Sequence, residues 1–125
     1  MDMRTKADTL LASVAGVDFD AVAETTLFTC PAGKSCVITK VVLRLAVGAG
    51  LPMGTMECSF GWNTAQADDV IANAGRVLTA ATNYLILVAA GDAEIGTAIG
   101  TFKIDVQVAE GAALTGTVEV FGYLY

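Results

Sequence analysis

Apolar and polar positions alternate with a period of two along most of the chain, the spacing expected of half-buried strands. The clearest run is residues 101–109, where Phe102, Ile104, Val106 and Val108 share one face and Lys103, Asp105 and Gln107 the other. After the short loop 110–113, residues 114–125 place Val118, Val120 and Leu124 on one side and Thr117, Glu119, Phe121, Tyr123 and Tyr125 on the other. Two alternating runs joined by a short glycine-containing loop predict an antiparallel hairpin. Upstream, residues 24–30 are rich in Thr and carry the aromatic Phe28, and Pro31-Ala32-Gly33-Lys34 forms a turn. Residues 35–47 then make the longest strand, with Val37, Val41, Leu43, Leu45 and Val47 inward and Lys40 and Arg44 opposite. Beyond the loop 48–54, Met56, Cys58, Phe60 and Trp62 alternate with Thr55, Glu57, Ser59 and Gly61. Residues 84–90 return to strand character.

Two stretches break the alternation. Residues 64–76 lack it and predict a short helix or a long excursion that Gly75 ends. Gly91-Asp92 marks a turn before a weak extended segment at residues 95–99. Five or six firm strands and two weak ones, with no repeating βα units, predict an all-β fold: an antiparallel β-sandwich of the jelly-roll kind. Residues 1–22 carry Asp2, Arg4, Lys6, Asp8, Asp18 and Asp20 around one short apolar stretch. They read as an N-terminal arm or short helix outside a sandwich of residues 23–125. No internal repeat or low-complexity tract is present.

Composition narrows the picture. With 125 residues, 54% hydrophobic and 16% charged, the chain suits one folded domain with a substantial core. It has no histidine, which removes Ser-His and Cys-His nucleophile pairs, the HExxH zinc site and the usual general base. An enzyme is disfavoured. Thirteen acids against seven bases give a net charge of -6, a poor match for phosphate backbones, so nucleic acid is not expected as a partner. The apolar run at residues 84–90 is only strand length, and the stretch 45–56 is broken by Gly48, Gly50, Pro52 and Gly54, so no membrane partner is expected. Asp2 and Asp8 dilute the basic start, and Asp18 and Asp20 interrupt the apolar stretch, which argues against a processed leader.

The candidate chemistry is sparse. Cys30, Cys36 and Cys58 are an odd number. Cys30 and Cys36 flank the Pro31 turn and a disulfide or a metal site is conceivable there, but buried reduced thiols are the favoured expectation. Asp68-Asp69 and the Asp18/Asp20 pair lack the further ligands of a calcium loop and read as solvated acids. Neither a GxGxxG nor a GxxxxGK[ST] phosphate loop nor a GxSxG elbow occurs. No catalytic, cofactor-binding or metal-binding residues are therefore assigned, and no cofactor is expected.

Aromatic residues carry more signal. Phe121, Tyr123 and Tyr125 oppose Val118, Val120 and Leu124, so the last strand is apolar on both faces, as strands covered on both faces are. In a two-layer sandwich, the N-terminal arm or a second chain would have to cover the outer one. Trp62 is a further anchor of the type enriched at interfaces. The candidate interface is thus Leu10 and Leu11 of the arm, Trp62, Phe121, Tyr123 and Tyr125.

The segment Thr26-Leu27-Phe28-Thr29-Cys30-Pro31-Ala32-Gly33-Lys34-Ser35-Cys36-Val37-Ile38-Thr39-Lys40-Val41-Val42 resembles the opening of small β-sandwich virion proteins of tailed bacteriophages, with a strand, a P-A-G-K turn and a long β-branched strand. The ending Val118-Glu119-Val120-Phe121-Gly122-Tyr123-Leu124-Tyr125 is similar to their closing strand, where a valine-rich run meets a Gly-Tyr pair. The resemblance implies a structural role: a capsid decoration or cement protein on the capsid surface of a virion, assembled in the host cytoplasm. Its implied partners are copies of itself, as a homo-oligomer such as a trimer, and the major capsid protein or another virion protein. A head-tail connector or head-fibre component is the neighbouring alternative. From a different class comes a carbohydrate- or receptor-binding jelly roll, in which Trp62 with Tyr84 or Tyr123 would stack on a sugar ring.

Overall fold

The structure, a computed structural model, describes residues 8–45, 54–63, 66–78, 84–90 and 95–125, and none of these is helical. Eight strands follow in chain order: β1 (Thr9–Asp18), β2 (Glu24–Thr29), β3 (Cys36–Leu45), β4 (Glu57–Gly61), β5 (Ile71–Gly75), β6 (Tyr84–Val88), β7 (Thr101–Val108) and β8 (Thr115–Leu124). They form two four-stranded sheets, β1-β8-β3-β6 and β2-β7-β4-β5, with every pairing antiparallel. This is the jelly-roll order of two Greek keys folded into a double sheet. Only β4 and β5 are neighbours both in sequence and within a sheet; every other consecutive pair crosses the sandwich.

The inward faces interlock as the alternation predicts. Val41 and Leu43 of β3, Cys58 and Phe60 of β4, Phe102, Ile104 and Val106 of β7, and Val118 and Val120 of β8 are buried in one core, which Met56, Leu78, Phe19 and Leu114 extend. Val37 does not join them. Thr39 is an extra residue in β3, because Ile38 pairs with Gly122 and Lys40 with the adjacent Phe121. Such a bulge reverses the parity of the strand, so Cys36 and Ile38 point inward before it and Val41 and Leu43 after it. At this bulge β8 carries Gly122, and a Cβ there would lie 2.0 Å from the Val37 carbonyl oxygen, a space open to glycine alone.

Four expectations need correction. Residues 101–125 are not a hairpin, since β7 and β8 lie in opposite sheets. Their connection bends over the end of the sandwich, where the Phe19 amide donates to Leu114 O (2.9 Å) and the Glu110 amide to Phe19 O (3.0 Å). The described part of residues 64–76 is neither helix nor excursion: Ile71–Gly75 is β5, paired with β4. Its exposed residues, Ala72, Asn73, Ala74 and Gly75, are too small and mixed to show a period of two. The described part of the expected arm is instead largely strand. Residues 9–18 form β1 and complete the first sheet against β8, and two register irregularities in β1 hide the alternation that Ala12, Val14 and Val17 otherwise keep toward the core. Finally, Cys30 and Cys36 are disulfide-bonded with Cα atoms 6.2 Å apart, because the turn that crosses between sheets brings them together. Residues 1–7 of the expected arm, Val47, most of the 48–54 loop, Thr64 and the Gly91-Asp92 turn lie outside the described residues.

Candidate interaction surface

Registers across the first sheet assign its outer face row by row, since paired residues project to the same side. One row runs Leu10, Phe121, Lys40, Val88; the next Ser13, Glu119, Val42, Ile86; the third Thr117, Arg44, Tyr84. Tyr123 and Val37 form a fourth. The Lys40 ammonium lies 4.9 Å from the centroid of the Phe121 ring, and Arg44 pairs with Glu119, so the charges of this face gather over β3 and β8. Apolar side chains flank them. On β6, Tyr84, Ile86 and Val88 are 48%, 51% and 74% exposed, while Leu85 and Leu87 turn inward against the core. On the other flank stand Leu10, 48% exposed, and Tyr125, whose ring centroid is 6.4 Å from that of Tyr123.

The six sequence-predicted interface residues thus divide. Leu10, Phe121, Tyr123 and Tyr125 gather at the β1 and β8 side of this face. There β1 flanks β8 along its edge, by backbone pairing. Leu11 packs against the core. Trp62 belongs to the other sheet: its ring lies 5.2 Å from Phe102 and presses on Gly96, where a Cβ would come within 2.3 Å of the indole. Its indole N–H is buried without an acceptor among the described residues. Tyr84 and Tyr123 stand on the opposite sheet from Trp62, so the three rings do not make one sugar-stacking platform. Ile86 and Val88 are not singled out by alternation; the lack of any charge between residues 84 and 90 is the signal that sets them apart.

The acids hold backbone. Glu110 accepts from the amides of Gly54, Thr55 and Met56 (2.9 Å for Met56), and Asp69 from those of Trp62 (2.7 Å) and Asn63. Asp20 accepts from the Gly111 amide at 2.7 Å. Among the described residues no group of three or more His, Cys, Asp or Glu side chains converges as a metal site. Burial pushes the Cys58 thiol up to about 11, although the neighbouring Arg76 guanidinium pulls the other way, so the thiol is protonated and inert at neutral pH. Arg76 is itself buried and donates to Cys58 O (2.8 Å) and Ala72 O (2.9 Å), tying β4 to β5.

No protein-family model matches the chain, and no curated protein matches it either. Among solved structures, it is similar to a chain of the acidic stable capsid structure of Helicobacter pylori bacteriophage KHP30, with a TM-score of 0.53 and 16% identity over 95% of each chain. At that identity the likeness is one of fold.

Proposed function

We propose that this chain is a structural protein of a bacteriophage virion, a decoration or cement protein that joins copies of itself and the major capsid protein and covers seams of the shell. The observation that carries the reading is the likeness of its fold, over 95% of its length, to a chain of a phage capsid structure. The outer face of the first sheet supports it, because apolar side chains gathered on one face of a small domain mark a contact surface. The work is attachment, with no catalytic step: histidine is missing from the chain, and Glu110, Asp69 and Asp20 are engaged in holding loops. In this reading the protein assembles in the host cytoplasm and ends on the capsid surface.

The test is cosedimentation. Purified protein mixed with shells of the major capsid protein of its own phage is expected to pellet with them at a fixed ratio and to raise their melting temperature. Protein that stays in the supernatant at every concentration overturns the reading.

A further inference from the structure

β6 is an edge strand, hydrogen-bonded to β3 on one side and to no other strand among the described residues. Its five residues, Tyr84-Leu85-Ile86-Leu87-Val88, contain no charge, no proline and no glycine. Natural edge strands are guarded by such residues, by bulges or by a covering segment, since an open apolar edge templates pairing with another chain. β6 has none of the sequence guards, and its outward side chains are among the most exposed large hydrophobics of the molecule.

We propose that β6 pairs with β6 of a second copy, antiparallel about a two-fold axis through Ile86, joining the two first sheets into one continuous eight-stranded sheet. The strand is self-complementary in this register on both faces. On the outer face Ile86 meets Ile86 of the second copy, and Tyr84 meets Val88, an aromatic and β-branched cross-strand pair of the favoured type. On the inner face Leu85 meets Leu87, so the two cores, against which both leucines already pack, become continuous.

Charge favours a second copy here over elsewhere on the surface. The chain carries a net charge of -6, so two copies repel at most orientations. At this seam the outer-face charges are set back one strand or more from the edge: Lys40 and Arg44 on β3, and Glu119 on β8, which holds Arg44. The middle row then reads Val42, Ile86, Ile86, Val42 across the axis, with no charge to bury. Closed two-fold pairing of identical edges also ends assembly at the dimer and leaves no open copy of this edge.

The inference deepens the proposed function and rests on its self-association; attachment to a shell is a separate step, read by cosedimentation. The experiment is light scattering coupled to size exclusion on the purified protein over a dilution series, with Ile86→Lys and Ile86→Cys variants. The wild type is expected to run as a dimer and Ile86→Lys as a monomer with an unchanged far-ultraviolet circular dichroism spectrum, since Ile86 is half-exposed and leaves Leu85 and Leu87 in place. Treated with a short bismaleimide, Ile86→Cys is expected to give a covalent dimer, its two sites being about 5 Å apart. Val88→Cys is expected to give little, as the same register separates its two sites by about 13 Å. A wild type that is monomeric at all concentrations, a closed trimer, a dimer that survives Ile86→Lys, or cross-linking equal at both cysteine positions overturns the proposal. Shell attachment that fails while the dimer stands counts against the proposed function and not against the β6 seam.

Discussion

Asp105 sits partly buried in β7, and its carboxyl is held above its ordinary range, first by burial, then by the nearby Glu24 and Asp68, against the opposing pull of Lys103. A folded value above the unfolded one means that the native chain holds this proton more tightly. Its contribution to stability is therefore full below the ordinary carboxyl value and is lost as pH rises through the raised one. Asp105→Asn is expected to raise the melting temperature at neutral pH and to change it little in acid, as thermal melts across that range will show. Gly122 is the second decisive residue. Gly122→Ala drives a methyl group into the Val37 carbonyl and is expected to destabilise the fold by about 1–3 kcal/mol, read by denaturant titration. The sequence displays Gly122 only as half of a Gly-Tyr pair; the bulge that makes it necessary is a property of the partner strand and leaves no mark beside it.

Elements formed where the pattern was regular. β3, β4, β6, β7 and β8 sit where alternation puts them, because each buries one face in a shared core. β1 and β5 escaped it for opposite reasons: register irregularities break the period of β1, and β5 is built from side chains too small to display one. Pairing was less legible than the strands themselves, since a glycine-containing loop of a few residues serves a hairpin and a sandwich crossing equally well. The same holds for the disulfide, whose spacing in sequence says nothing about the sheets it joins. Cys30 follows the last residue of β2 and Cys36 opens β3, so the bond ties the two sheets together across a short crossing. Closing a loop of six residues restricts the unfolded chain by about 2 kcal/mol. Reduction is expected to lower stability by about that amount, measured by melts with and without reductant. Of the three cysteines only Cys58 is free, so a denatured but unreduced sample should titrate one thiol per chain, and the native protein none.

At the scale of the whole molecule the topology governs how the chain reaches its fold. All consecutive strands but β4 and β5 lie in opposite sheets, and β1 finds its partner in β8 at the far end of the sequence. Contacts so distant along the chain make folding slow, on the order of milliseconds to seconds or longer, because loop closure precedes the gain from pairing. Trp62, the one tryptophan, packs at a tilt against Phe102 and against Gly96, both distant from it in sequence, so its surroundings report long-range closure. Refolding followed by its fluorescence is expected to fall in that slow range, and a microsecond phase carrying the full amplitude would contradict the topology. The interaction surface was half legible: alternation pointed to the aromatic end of β8, and only the sheet order shows that β6 is an edge. The pairing of β1 with β8 has a mechanical side as well. Thr9 lies opposite Gly122, so the start of the first strand and the finish of the last leave the sheet at the same end. A tension applied between them loads the rungs one after another and peels the strands apart. Compression across the sandwich instead drives the two sheets onto their common core, so the fold yields to a pull on its ends and resists a push on its faces.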